Sequence, residues 1–377
     1  MIFFSKRTHR NLLPFYGLFI ALISCLLISS CKSDDNGDGS NACNSSFDQS
    51  AMFTNIADNI IIPAFSDLQS KVNQLSDKGV DFTNNTNLEN LDNLRTAYLQ
   101  AYLAFQSVAQ FEFGPAESVF LRNSLGNFPT SEEAINANIQ AGSYDFSQPD
   151  VFYKGFPAVD FLLFGLDTDD AALVDLYTNS NAHQQYLGDL IDDIKNRTDQ
   201  STEDWKSSYR STFVNNTGTA AGTSLSLLIN ALNENYELIK RRKIGIPSGV
   251  LTLGFINPEE VETFYSGHGV QMAVAALKAS QQLYLGKDGL GLDDFLMAVD
   301  ARKEDTLLDE LIKIQFSNTI AAVGALDDPL SQTVENDQAA VEDAYNEIAK
   351  QLVNIKTDMP SVLCVSITYI DNPSDSD

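Results

Sequence analysis

The segment LDNLRTAYLQAYLAFQSV, residues 91–108, decides the fold class of this chain. Its large apolar side chains recur at steps of three and four, at Leu91, Leu94, Tyr98, Tyr102, Phe105 and Val108. This spacing predicts an α-helix with one apolar face, because an α-helix turns once in about 3.6 residues. Gly114-Pro115, a pair that ends helices, follows shortly afterwards.

The same helical spacing returns along most of the chain and predicts an all-α protein with little or no sheet. It recurs through residues 225–239, 270–285, 292–299, 306–323 and 338–355. No useful length alternates between apolar and polar residues, as a half-buried strand would. Only Val362–Ile370, with its β-branched side chains, has the composition of an extended segment.

Two helical-bundle halves are predicted from the position of the breaks. Breaking residues cluster at Asp199–Glu203, close to the middle of the chain. We therefore expect an N-terminal bundle over residues 47–200 and a C-terminal bundle over residues 201–370. The loops at residues 123–131 and 142–150 are long for a helical bundle and indicate a functional face on the first half.

Residues 1–30 have the three parts of a secretory signal peptide and are excluded from fold reasoning. The basic start contains Lys6, Arg7 and Arg10, and a largely apolar run, Leu12–Ile28, follows it. The ending Ser29-Ser30-Cys31 resembles a bacterial lipobox, in which Cys31 would be acylated. Cys25 also fits that pattern, but cleavage there would leave apolar residues beside the anchor.

The predicted mature protein is an outer-membrane lipoprotein that faces the periplasm or the cell surface. Residues 31–46 are polar and are expected to form a flexible tether, so that the lipid anchor is the only contact with the membrane. The acidic run after Cys31 resembles the surface-export signal of Bacteroidetes lipoproteins. An outer-membrane transport protein is the expected partner.

Charge and missing motifs exclude several classes of function. The net charge is −27, and such a field repels phosphate backbones, so nucleic acid is not expected as a partner. The sequence contains no Gly-x-Ser-x-Gly elbow, no phosphate-binding glycine loop and no Cys-x-x-Cys pair.

Two cysteines remain outside the predicted signal and anchor, Cys43 and Cys364. They lie near the two ends of the mature chain, and the termini of compact domains are often close together. A Cys43–Cys364 disulfide is therefore predicted for an oxidising compartment. The alternative is two unrelated buried thiols.

Three segments together resemble the imelysin family, bacterial envelope proteins related to an insulin-cleaving membrane protease and to iron-regulated proteins. The segments are Phe111–Pro115, Lys154–Gly165 and Lys243–Gly249. The resemblance implies an all-helical fold of two halves with a site where the halves meet. It also implies a Gly-x-His-x-x-Glu motif that has been proposed to hold a metal.

The matching run departs from that motif at its two functional positions. It reads Gly155-Phe156-Pro157-Ala158-Val159-Asp160, so Pro157 replaces the histidine and Asp160 replaces the glutamate. After the signal peptide only His183 and His268 remain, whereas catalytic zinc usually has three protein ligands. A working zinc peptidase is therefore disfavoured.

The predicted ligand site lies between the bundles and contains Glu112, Asp160, Glu262 and His268. The neighbours of Asp160 at helical spacing are apolar, so its carboxylate should be buried and needs donors or a cation. It could be an oxygen ligand for iron or another divalent or trivalent cation. Alternatively, it is a first-turn acid stabilised by backbone N–H groups and the helix dipole.

Two further patterns have a structural and a functional interpretation. The only basic cluster, Lys240–Lys243, could simply complement a helix C-terminus. Alternatively, one of its side chains pairs with Glu112 or Asp160 in the site. Tyr98, Tyr102 and Phe105 could be core packing or a ligand-facing surface.

The sequence thus predicts an imelysin-like envelope lipoprotein that binds a ligand or metal without catalysis and serves iron acquisition. The iron role follows from the resemblance alone. The first alternative is a metallopeptidase with a rearranged site, and the second is a structural scaffold whose cleft is merely packed.

Overall fold

The computed structural model describes residues 45–369, which are helical almost throughout. The predicted all-α class is confirmed, since the sheet among these residues is one ribbon of β1 (Arg302–Lys303) and β2 (Thr306–Leu307). Residues 362–369, predicted as extended, form no strand. The signal peptide, Cys31 and most of the tether lie outside the described residues. Within residues 45–369 no helix has the length and apolar character needed to span a bilayer.

Ten α-helices form the first half of the described chain. They are α1 (Gln49–Ile56), α2 (Ile62–Asn84), α3 (Leu88–Val108), α4 (Pro115–Ser118), α5 (Leu121–Leu125), α6 (Glu132–Ala141), α7 (Gly155–Asp160), α8 (Asp170–Asn179), α9 (Asn181–Asp204) and α10 (Arg210–Asn215). Three π-helical segments continue them, namely Ala57–Ile61, Phe161–Gly165 and Trp205–Tyr209.

Seven α-helices form the second half. They are α11 (Ser224–Leu238), α12 (Gly269–Tyr284), α13 (Leu292–Ala298), α14 (Leu308–Gly324), α15 (Leu330–Asn336), α16 (Gln338–Leu352) and α17 (Met359–Val362). Ile239–Gly245 and Val353–Asp358 are π-helical, and Pro258–Glu260 is a single 3₁₀ turn.

Each half is built on a group of long helices that pack side by side. In the first half α2 lies against both α3 and α9, and in the second half α14 lies against both α12 and α16. The contact between α3 and α12 joins the two groups. The apolar stripe of α3 is buried, as its spacing predicts, and this helix therefore forms part of the surface where the halves meet.

The predicted break at Asp199–Glu203 is wrong, because α9 continues through it to Asp204. The polar residues here are compatible with a buried helix since their hydroxyl groups bond to carbonyls of the preceding turn. Ser201 donates to the Arg197 carbonyl at 2.9 Å and Thr202 to the Thr198 carbonyl at 2.7 Å. Residue 200 is therefore inside a helix, not in a linker, and residues 45–369 belong to one compact unit.

Candidate functional site

Gly155 sets the start of α7, the helix that carries the imelysin-like motif. Its φ is +75°, and a Cβ atom there would lie 2.6 Å from the carbonyl oxygens of both Ser124 and Leu125. Only glycine fits such a conformation at so close an approach. The glycine of the motif thus allows α7 to pack directly on α5, with every residue of α7 buried.

Asp160 ends α7 and points into the contact between the halves. Its side chain is 1 % exposed. One carboxylate oxygen accepts the hydroxyl of Tyr98 at 3.0 Å, and the other accepts the backbone N–H groups of Tyr265 at 3.1 Å and Ser266 at 3.3 Å. Burial raises the pKa of Asp160 to about 6, although these donors oppose the rise.

The predicted burial of Asp160 therefore agrees with the structure, whereas its first-turn interpretation is wrong. Asp160 is the last residue of α7, not a member of its first turn. The backbone N–H groups that stabilise the carboxylate come from the second half of the chain.

Glu262 is a second buried carboxylate in the contact between the two halves of the chain. It accepts the hydroxyl of Tyr102 at 2.7 Å and the amide of Gln106 at 3.2 Å, and it forms an ion pair with the ammonium group of Lys243. Lys243 also donates to the Gln106 side-chain oxygen at 2.9 Å. Burial lowers the pKa of Lys243, and the adjacent Glu262 opposes that change.

Helix α3 links the two carboxylates because its tyrosines are one turn apart. Tyr98 donates to Asp160 and Tyr102 to Glu262, while the Tyr102 ring stacks on Phe156 with centroids 4.7 Å apart. Burial raises the pKa of both phenols, which keeps them protonated as donors. The aromatic stripe is thus core packing and part of the site at once.

We use the name seam for the residues that carry this network between the halves, which are Tyr98, Tyr102, Gln106, Asp160, Lys243, Glu262, Tyr265 and Ser266. Sequence reasoning missed Gln106, Tyr265 and Ser266 as members of the network. Ser266 and Tyr265 contribute backbone N–H groups, which leave no signal in side-chain chemistry. The position of Gln106, one turn after Tyr102, was the available signal for that residue.

Glu112 lies outside this network. Its carboxylate accepts the backbone N–H of Arg122 at 2.9 Å, and no hydrogen bond among residues 45–369 joins it to Asp160 or Glu262. Burial raises the pKa of Glu112 to about 7, with Arg122 acting in the opposite direction.

His268 is close in sequence to Tyr265 and Ser266 but forms no part of the described network. It is half-buried at the N-cap of α12, and its imidazole takes part in no hydrogen bond within residues 45–369. The first N–H groups of α12 are satisfied instead by Asp328, whose carboxylate accepts from Val270 at 2.8 Å and Gln271 at 3.1 Å.

The basic cluster has a larger role than complementing a helix end. One side chain of the cluster was predicted to pair with Glu112 or Asp160 in the site. Lys243 does enter the site, but it pairs with Glu262, so the predicted partners are wrong. Arg242 donates to the carbonyl of Phe128, and Lys240 pairs with Glu237 at 2.7 Å.

The described residues do not fit the metal centre that the family motif implies. Pro157 stands in the place of the histidine and offers no ligand atom. The oxygens of Asp160 and Glu262 accept hydrogen bonds from phenols, N–H groups and an ammonium ion, which compete with a cation for the same lone pairs. Among residues 45–369 no group of three His, Cys, Asp or Glu side chains could hold a metal ion.

A cavity of about 260 Å³ lies beside Asp160. Pro157, Asp160 and Glu132 line it together with the aromatic rings of Phe128 and Tyr265. The Tyr265 hydroxyl donates to Glu132 at 2.7 Å and so ties the second half to α6. Phe128, which belongs to the predicted loop at residues 123–131, lies in the wall of this cavity.

Cys364 is disulfide-bonded. Its predicted partner, Cys43, lies outside the described residues, so the pairing stays a prediction.

These features define an all-helical protein with two buried carboxylates where its N-terminal and C-terminal helices meet, and with a cavity beside one of them. The sequence profile of the imelysin family matches residues 61–355, and the chain belongs to that family. No curated protein matches the sequence.

Two crystal structures resemble this fold. One is described as an iron-regulated protein A precursor from Parabacteroides distasonis, with a TM-score of 0.70, 17 % identity, and coverage of 84 % of this chain and 95 % of that one. The other is an imelysin-like protein from Psychrobacter arcticum, with a TM-score of 0.59, 17 % identity, and coverage of 85 % and 97 %. At this identity the similarity concerns the fold alone.

Proposed function

We propose that this imelysin-family chain is a lipid-anchored envelope protein that binds a ligand beside Asp160 without catalysing its conversion, and that it serves iron acquisition. The observation that carries the proposal is that every oxygen of both buried carboxylates already has a donor of the protein against it. A general base or a metal ligand needs a lone pair directed at its substrate or ion, and at Asp160 and Glu262 these donors compete for the lone pairs.

The cavity beside Asp160 favours binding over a purely structural scaffold. A scaffold would have a cleft filled by aromatic side chains, and the stacking of Tyr102 on Phe156 fills part of the seam in that way. However, about 260 Å³ next to it stays concave and carries the polar groups of Glu132 and Asp160. Such a mixture of apolar walls and a few polar groups is typical of small-ligand sites.

The iron role is supported by the family and by the name of one structural relative, the iron-regulated protein A precursor. The test is growth of the source bacterium after deletion of the gene. We expect slower growth under iron limitation, normal growth when iron is supplied, and restoration by the wild-type gene. Equal growth of the deletion and parent strains under iron limitation would refute the iron role.

The peptidase alternative is tested on the purified full chain with insulin B chain as substrate. We expect no cleavage with or without a chelator. Chelator-sensitive cleavage that Asp160→Asn abolishes would instead establish the rearranged peptidase. Titration of the protein with iron(III), calcium and zinc tests whether the ligand is a metal ion. We expect no tight binding of any of the three.

A further inference from the structure

The loop at residues 246–257, which we call the apolar loop, exposes four large apolar side chains to solvent. Leu253 is 95 % exposed and Phe255 is 72 % exposed. Leu251 and Ile256 are exposed by 41 % and 38 %. Single exposed apolar residues are common on protein surfaces, whereas several in one short loop mark an interaction surface.

The apolar loop satisfies many of its own polar groups. The backbone N–H groups of Thr252 and Gly254 both donate to the Gly249 carbonyl, at 3.1 Å and 2.9 Å. The backbone N–H of Phe255 donates to the Thr252 carbonyl at 3.0 Å. The Phe255 carbonyl in turn accepts the Thr252 hydroxyl and, at 2.8 Å, the side-chain amide of Asn257. The polar side chains of the loop therefore bond to its own backbone, while its apolar side chains face outward.

The base of the apolar loop is fixed to the body of the protein. Ser248 is buried, and its carbonyl accepts the side-chain amide of Gln338 in α16 at 3.0 Å. The backbone N–H of Asn257 donates to the Pro247 carbonyl at 2.9 Å and closes the loop. Leu253 has a φ of +57°, which is unusual for a bulky side chain. Such strain persists where the surrounding structure imposes it, so the loop holds Leu253 outward in a defined position.

These features favour a lipid surface as the partner of the apolar loop. A segment that enters a bilayer loses its water, so its backbone N–H and C=O groups need partners inside the protein. The hydrogen bonds of the loop provide such partners, and residues 244–258 contain no ionisable side chain that would lose its hydration. A protein interface normally includes direct hydrogen bonds, yet the side chains of Thr252 and Asn257 are already bonded within the loop.

We propose that the apolar loop inserts into the interfacial region of a zwitterionic phospholipid bilayer, with Leu253 and Phe255 as the inserted side chains. The net charge of −27 disfavours an anionic lipid surface. The predicted acyl anchor at Cys31 would then not be the only contact of the protein with the membrane. The inference does not depend on the ligand beside Asp160 or on the iron role.

The length of the predicted tether is compatible with this second contact. Cys31 lies 14 residues before the first described residue, Ser45. A fully extended chain of that length spans about 50 Å, whereas the radius of gyration of a domain of this size is about 20 Å. The anchor therefore does not prevent the apolar loop from reaching the same bilayer.

The test is co-sedimentation of residues 32–377 with phosphatidylcholine vesicles. This protein lacks the acyl group but contains the whole compact unit, so the result reports on the loop and not on the anchor. We expect the protein to sediment with the vesicles at millimolar lipid and equally at low and high salt, because the contact is apolar. Absence of co-sedimentation would overturn the proposal and would leave a protein as the occupant of the loop. Binding to phosphatidylglycerol vesicles alone, abolished by salt, would also contradict it.

Two substitutions locate the contact. Leu253→Asn removes the apolar side chain and suits the left-handed backbone, which asparagine adopts readily. Phe255→Ser removes the exposed ring. We expect each to weaken partitioning by at least about tenfold, or about 1.4 kcal/mol. The controls Ile314→Ser and Val353→Ser remove side chains that are also more than half exposed and should leave partitioning within about twofold.

A fluorescent reporter tests insertion directly. Leu253→Trp places an indole at the tip of the apolar loop, while the single native tryptophan, Trp205, is buried. We expect the emission of Leu253→Trp to shift to shorter wavelength on addition of phosphatidylcholine vesicles, and that of Ile314→Trp to stay unchanged. Circular dichroism establishes that the variants are folded. Wild-type partitioning of folded Leu253→Asn and Phe255→Ser proteins would show that the vesicles bind elsewhere and would contradict the assignment.

Discussion

Burial of Asp160 disfavours its charged carboxylate and raises its pKa from an ordinary value of 3.8 to about 6. The folded state therefore binds the proton more tightly than the unfolded state. The resulting stabilisation is complete below pH 4 and is lost as the pH rises to about 6, by up to about 3 kcal/mol. We expect the unfolding free energy of wild type to fall over this window and the fall to be smaller in Asp160→Asn.

Urea unfolding at several pH values between 4 and 7 measures this difference. Glu112, whose pKa is also raised, adds its own decrease up to about pH 7 in both proteins, so only the difference between them is informative. The exposed Asp92→Asn is the control and should follow the wild-type profile. Parallel profiles for wild type and Asp160→Asn would mean that the carboxyl group is not buried in the seam.

The sequence predicts individual residues of the site better than their partners. Asp160 was placed in the site because its helical neighbours are apolar and because it occupies a motif position. Its partners Tyr265 and Ser266 could not be foreseen, since they lie 105 and 106 positions further along the chain and bond through the backbone. Lys243 was a candidate, but composition could not choose among the acidic residues that it might meet.

At the scale of elements, the position of α7 depends on Gly155. A Cβ atom at this residue would approach two carbonyl oxygens to 2.6 Å, in addition to the strain of a φ of +75°. We expect Gly155→Ala to destabilise the protein by about 3 kcal/mol or more, through left-handed strain of about 1–2 kcal/mol and overpacking of similar size. Urea unfolding measures the loss.

Gly142→Ala is the matched control for this prediction. Gly142 has a φ of +61° at the end of α6, but a Cβ atom there would meet no atom within 4 Å. It should therefore cost only the conformational strain, about 1–2 kcal/mol. Equal losses for the two variants would show that the close packing of α7 on α5 contributes nothing to stability.

Helical periodicity was sufficient to predict the fold class but not every helix end. Along α3 the apolar stripe alone predicts the helix, because burial of that face drives its packing. At Asp199–Glu203 local composition favoured a break, yet tertiary packing of α9 against α2 prevails there. Thr202 illustrates the reason, since its hydroxyl also reaches the Phe65 carbonyl of α2 at 3.3 Å.

At the scale of the whole molecule, the seam joins the two halves through charged hydrogen bonds that neither half can make alone. Tyr102 of α3 donates to Glu262, and Asp160 of α7 accepts from Tyr265. Separation of the halves would remove these donors and leave Asp160 with Tyr98 and Glu262 with Lys243. The loss of a hydrogen bond to a buried charged group costs about 1.5–3 kcal/mol. The two bundles are therefore expected to unfold together.

Wild-type protein should show a single unfolding transition. The unfolding transition followed by the fluorescence of Trp205, which packs on Phe65 in the first half, should coincide with the transition followed by far-UV circular dichroism of the whole chain.

Tyr102→Phe removes a hydrogen bond to a charged group and should lower the unfolding free energy by about 1.5–3 kcal/mol, while the two transitions still coincide. Tyr177→Phe, which loses a bond to the neutral Leu162 carbonyl within the first half, should cost only about 1 kcal/mol. Two separate transitions in wild type would show that the bundles are independent, and the seam could then not act as a shared binding surface held in place by both.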